Sequence, residues 1–296
     1  MVAARRDLIR WFGKVNKVQE FGPIAQAFEV YAEACAYLVL KAKGIALERT
    51  PGTGKDKQKR PDFIYTTSGG SIYFEVKCLD VEGGTRRHAE LADRALDVAV
   101  KLDLKRRKPG VHFGELEISP FEPGSKPSDR IEKVIQKIRS NLKRDQIRYG
   151  PTILVVDLGR LELVAQHPSS LLPVYFNEGM PSITCASGEL WHVAFGRKGD
   201  MIYQLPEFEG KTNLDRPLEE EGVLREFPEL LGVSFILHRL AGLKEIFSLR
   251  TLSPETALLK NPLTLDEFKV GEVVRAYSDA FNDDYNTYQS NYVRSK

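Results

Sequence analysis

The segment Pro61 to Asp80, PDFIYTTSGGSIYFEVKCLD, constrains the fold more than any other part of the chain. Its final run alternates cleanly: Ile72, Phe74, Val76 and Cys78 fall on one side, and Ser71, Tyr73, Glu75 and Lys77 on the other. That period of two is the signature of an extended strand. The Ser68-Gly69-Gly70 turn and the preceding FIYTT run predict a β-hairpin, with one apolar face suited to pack on a helix.

The same hairpin sets Asp62 beside Glu75, with twelve residues between them in the chain. Neighbouring strands lie about 4.8 Å apart, so the two carboxylates repel unless a cation stands between them. Oxygen ligands without His or Cys suit Mg²⁺ or Mn²⁺. Lys77 shares the face of Glu75, two residues on, where its ammonium reaches the space beside such an ion. Carboxylates, metal and lysine together are the apparatus of metal-assisted phosphodiester hydrolysis. Glu-x-Lys on a strand and Pro-Asp in a turn are each commonplace; their combination at hairpin spacing carries the argument.

Upstream, PIAQAFEVYAEACAYLVL (residues 23–40) predicts a helix, opened by Pro23 in its first turn and stopped before Gly44. Its polar members Gln26, Glu29, Glu33 and Tyr37 form one narrow stripe. IALER predicts a short strand, and TPGTGKDKQKR a basic loop that lacks the full spacing of a nucleotide-binding P-loop. Residues 83–128 read as an insertion with a helix at about 86–107 and a basic end, Lys105 to Lys108. Asp129 is then placed to cap a basic helix, RIEKVIQKIRSNLKRDQI, before the buried-type strand TILVVDL. After residue 160 come shorter apolar stretches, among them LWHVAF, MIYQL and GVSFILH, and the acidic run Glu219 to Glu221.

The 296 residues, with 43 Lys+Arg against 41 Asp+Glu and 42% hydrophobic side chains, fit a globular protein and exclude a disordered or collagenous one. No apolar run approaches the roughly 20 residues of a membrane span, and the opening residues lack a secretory signal, so a cytoplasmic protein with no membrane partner is expected. Cys35, Cys78 and Cys185 are widely spaced and read as buried thiols; His238, in VSFILHRL, reads as a core residue. Residues 1–150 carry 29 Lys+Arg and 20 Asp+Glu, and residues 151–296 carry 14 and 21. The basic half suits a polyphosphate partner. Lys55, Lys57, Lys59 and Arg60 precede Asp62 directly, and Arg130, Lys133, Lys137 and Lys143 or Arg144 fall roughly on one helical face, so these are the expected nucleic-acid contacts. The Tyr-rich tail, Tyr277 to Tyr292, reads as surface.

Taken together, EACAYLVLKAKGIALERTPGTGKDKQKRPDFIYTTSGGSIYFEVKCLD resembles the PD-(D/E)XK nuclease superfamily, and in particular the archaeal Holliday junction resolvases. The resemblance covers about residues 23–80 and 129–158. It implies an α/β protein with a restriction-endonuclease-like mixed central sheet flanked by helices, elaborated by the insertion and by a C-terminal extension over about 160–296. The absence of an internal repeat or a long linker predicts a single elaborated domain, with a subdomain in the second half as the alternative. By position, Asp62 and Glu75 become metal carboxylates, the Val76 carbonyl a further ligand and Lys77 the catalytic lysine. Glu33, eleven residues before Gly44, is preferred as the helical glutamate, with Glu29 one turn earlier as the alternative. Gln136 or Lys137 would be auxiliary. The implied activity is a Mg²⁺-dependent endonuclease acting on DNA, in restriction or phage defence. A junction resolvase, a repair nuclease, and a silent binding subunit of a larger assembly stand as alternatives. RNA stays open as a substrate, as does a homodimer or a partner subunit.

Overall fold

The computed structural model describes residues 21–51, 60–67, 69–80, 93–94, 97–98, 100–105, 121, 124–159, 174–177, 184–203, 214–239 and 253–261. Helix α1 (Phe21–Ala42) leads into a meander of β1 (Glu48–Arg49), β2 (Phe63–Thr67) and β3 (Gly70–Cys78). Helix α2 (Pro127–Asn141) and a single turn, α3 (Arg144–Ile147), precede β4 (Thr152–Asp157). The second half supplies two small hairpins, β5 (Val174–Asn177) with β6 (Thr184–Ser187) and β7 (Met201–Tyr203) with β8 (Leu214–Pro217). It also supplies the helices α4 (Glu189–Phe195) and α5 (Val223–Glu226) and the long strands β9 (Leu230–Arg239) and β10 (Ser253–Lys260).

Six strands form one mixed sheet in the order β1-β2-β3-β4-β9-β10. β4 lies parallel to both β3 and β9, while the other pairings are antiparallel. The protein is thus α/β, with helices on both faces of the sheet. A parallel strand between two neighbours is buried on both sides, and TILVVD is apolar enough to be so throughout. GVSFILH, from the second half, is part of this same sheet rather than of a separate layer.

The alternation in the sequence sorts side chains between two cores. Ile72, Phe74 and Val76, with Ile153 and Val155 from β4, pack against Ala32, Cys35, Ala36 and Leu40 of α1. Leu154 and Val156 face the other way, onto Ile131, Val134, Ile135 and Ile138, a stripe at helical spacing on α2, and onto Trp191 and Phe195 of α4. The predicted helix 23–40 is therefore present with two residues more at each end. It closes at Gly44, whose φ of +86° belongs to the left-handed region. Ile45 N–H donates to Leu40 O at 2.9 Å and Gly44 N–H to Lys41 O at 3.0 Å, a Schellman closure with Leu40 and Ile45 both buried.

Two expectations for the basic helix need correction. Pro127 favours a first helical turn, so α2 starts ahead of Asp129, which sits inside the helix and accepts the Lys126 backbone N–H at 3.1 Å. The helix also does not run on to Ile147 but breaks at Leu142 and Lys143, both in extended conformation. Of the predicted helix 86–107, residues 93–94, 97–98 and 100–105 are helical; the remainder, the side chains of Cys185 and His238, and the Tyr-rich tail lie outside what is described. Cys35 is buried and Cys78 half-buried, with no disulfide between them. Among the described residues no helix is long and apolar enough to cross a membrane.

Candidate metal and phosphodiester site

The hairpin register pairs Phe63 with Phe74, so Asp62, one step before β2, stands opposite Glu75. Here the backbone ladder gives way to a side chain: the Val76 N–H donates to Asp62 Oδ2 at 2.8 Å. In an extended strand a residue's N–H and C=O leave on the same edge, so the Val76 carbonyl faces that edge too. Glu75 is fully buried, and its Oε1 accepts from Lys77 Nζ. Its Oε2 is buried with no hydrogen-bond partner. Buried carboxylate oxygens are usually paired, and the Gln146 side chain acts on this carboxylate, opposing the rise in its affinity for protons.

These groups open on a cavity of about 420 Å³. Glu29 and Glu33 reach it from α1, Asp62 from the start of β2, Glu75, Val76, Lys77 and Cys78 from β3, and Asp80 from just beyond. Lys137, Asn141, Lys143 and Gln146 close it from the α2–α3 side. Both glutamates of the α1 stripe are at the site, Glu33 half-buried and Glu29 exposed. Tyr37, by contrast, belongs to the edge of the core, with its ring 6.3 Å from that of Phe63.

Crowding acids in a partly buried site raises their affinity for protons. Burial and then Asp62 push the Glu75 carboxyl up to about 7, against the opposing pull of Lys77. Burial likewise raises Asp62, opposed by the Val76 N–H, Lys77 and Arg49. Glu33 is raised by burial and by Asp62, and Arg49 opposes both. Arg49 is the residue that sequence reasoning missed: its Nη2 lies 2.5 Å from Glu33 Oε2.

The donor set fits a hard divalent ion. Asp62, Glu75 and the Val76 carbonyl offer oxygen donors, and Mg²⁺ is commonly held by only one or two carboxylates while keeping several waters. Among the described residues no group of three or more His, Cys, Asp or Glu is gathered to hold a metal.

The remaining expectations divide. Lys137 lines the cavity, with Nζ 2.5 Å from Asp80 O. Gln136, one residue and about 100° around the helix, turns away and donates to Glu220 Oε1 at 3.0 Å, so it is not at the site. The glutamine that is there is Gln146, buried, with an Oε1 that has no hydrogen-bond partner. On an unbroken helix, nine residues would set Gln146 about half a turn from Lys137. The break before α3 brings both to one cavity.

Of the expected basic contacts, Lys137 and Lys143 line the cavity, and the other described ones lie elsewhere. Arg130 is bound to Glu189, and Lys133 is half-buried near Asp129 and does not line the cavity. Arg144 lies over the Phe227 ring at 5.8 Å. Arg60 donates to Pro51 O and lies 5.9 Å from the centre of the Tyr149 ring. Lys55, Lys57, Lys59 and residues 106–108 lie outside the described residues. The acidic run packs on α2, where Arg139 joins Glu220 at 2.9 Å and Glu226 at 2.5 Å. Comparison with models of known families, with curated proteins and with solved structures finds no match.

Proposed function

We propose that the protein is a Mg²⁺- or Mn²⁺-dependent endonuclease with a PD-(D/E)XK core, hydrolysing phosphodiester bonds in DNA in the cytoplasm, in restriction or phage defence. The observation that carries this reading is the register of Asp62 opposite Glu75, with Lys77 bonded to Glu75, at one cavity. The element order α1-β1-β2-β3-α2-β4, with β4 parallel to β3, supports the restriction-endonuclease-like assignment.

In this reading Asp62, Glu75 and the Val76 carbonyl would hold the ion. The chemistry a bound Mg²⁺ or Mn²⁺ supplies is a more acidic water and neutralisation of phosphate charge. Lys77 Nζ, now on Glu75 Oε1, orients or deprotonates the attacking water and meets the charge that develops on the phosphorus oxygens. Lys137 and Lys143 offer charge to the flanking phosphates. The buried Gln146 amide offers a donor beside Glu75.

Incubating the purified protein with plasmid, linear, branched and single-stranded DNA, and with RNA, in Mg²⁺, Mn²⁺ or EDTA tests the reading. Metal-dependent nicking that Asp62→Asn and Lys77→Met abolish is the expected result. Equal nicking by wild type and both variants would overturn the site, and metal binding without cleavage would favour a silent subunit of a larger assembly.

A further inference from the structure

On top of the nuclease reading, which it presupposes, we infer that Arg49 is a phosphate-binding positioning residue that exchanges partners. In the free protein it is the counter-ion of Glu33; in the complex it takes a phosphodiester oxygen of DNA, leaving Glu33 to turn toward Asp62 and Glu75.

Four observations carry this. Arg49 stands on β1, the two-residue strand at the sheet edge, with its side chain 51% exposed, whereas Glu33 is only 20% exposed. The cation, not the carboxylate, is the partner with room to move. Arg49 acts on both Glu33 and Asp62, so it balances negative charge in a cavity lined by several acids. Its guanidinium carbon lies 5.2 Å from the centre of the Phe63 ring, a platform that supports the cation while its donors change partner. Finally, a guanidinium fork fits phosphate as well as it fits carboxylate, so an incoming phosphodiester competes directly with Glu33. A half-exposed ion pair is a weak one, which keeps that competition easy.

The exchange predicts effects of opposite sign. Binding of a fluorescently labelled DNA duplex is measured in EDTA by anisotropy for wild type, Arg49→Gln, Glu33→Gln and the double variant. Arg49→Gln weakens binding about 10-fold and lowers the slope of log K against log salt by about one. Glu33→Gln, which releases Arg49, tightens binding several-fold. In the Arg49→Gln background the Glu33→Gln change has almost no effect, because no arginine is left to release.

Tightening by Glu33→Gln that persists in that background would mean simple charge repulsion and overturn the exchange, as would a Glu33→Gln variant that binds no tighter. Arg49→Lys, which keeps the charge but not the fork, falls between wild type and Arg49→Gln and serves if the latter is poorly folded. A wild type that cleaves DNA while the two substitutions act additively removes this inference alone. Duplex binding with the coupled pattern but no cleavage in Mg²⁺ or Mn²⁺ removes the nuclease reading alone, and a wild type that binds no duplex removes both.

Discussion

The Asp62 carboxylate takes the place of a backbone carbonyl for Val76, accepting its N–H at 2.8 Å where β2 has not yet begun. One side chain therefore has a structural and a proposed chemical duty, and the two can be separated. Asp62→Asn keeps an acceptor for Val76 and should leave the urea midpoint nearly unchanged while removing cleavage. Asp62→Ala orphans the N–H and should also cost about 1–3 kcal/mol of stability. Paired unfolding and nicking assays check both.

Glu75 makes stability depend on pH in a defined direction. Its carboxyl sits at about 7 in the folded chain and near 4.5 unfolded, so between those values the folded state binds more protons. Its contribution to stability is then full below about pH 4.5 and is lost as pH rises through 7. In EDTA the Tm should fall from pH 5 to pH 7.5, and Glu75→Gln should flatten the fall. Added Mg²⁺ should raise the wild-type Tm most at the upper end, where the carboxylate is charged.

Lys77→Met tests the lysine apart from substrate binding. Cleavage should fall by about 100-fold or more, the range for loss of a positioned acid-base group, while duplex affinity measured in Ca²⁺ changes by no more than a few-fold. If Lys77 acts as the base, the wild-type rate under chemistry-limited, metal-saturated conditions should rise with pH and that rise should be missing from Lys77→Met, whereas a flat wild-type profile would leave it an electrostatic role.

The two glutamines on either side of the α2–α3 break should behave differently. Gln146→Ala should lower kcat/KM with little change in Tm, because its amide lies in the cavity. Gln136→Ala should leave cleavage untouched, since its partner is Glu220.

Gly44→Ala provides a control away from the chemistry. Forcing a Cβ into a φ of +86° should destabilise the chain by about 1 kcal/mol and leave the rate per folded molecule unchanged.

What could be read from the sequence was what local periodicity encodes. The alternation around Glu75, the helix ending at Gly44 and the apolar β4 needed no distant partner to be recognised, and the proposed site is built on them. Arg49 escaped because nothing in IALER distinguishes a strand arginine that meets Glu33 from a solvated one; that contact is made across sixteen positions of chain. Gln146 escaped because its placement depends on a helix break that periodicity does not mark. The pairing of Arg130 was hidden for a similar reason: its partner Glu189 comes from the distant second half.

The parallel partner of β4 has a temporal implication. Leu154 and Val156, which back the strand beside Glu75, are covered in part by Val233 and Phe235 of β9. A ribosome therefore displays Asp62, Glu75 and Lys77 long before the strand that seals their support has been made. The proposed pocket should thus acquire its rigid backing only after β9 has been synthesised.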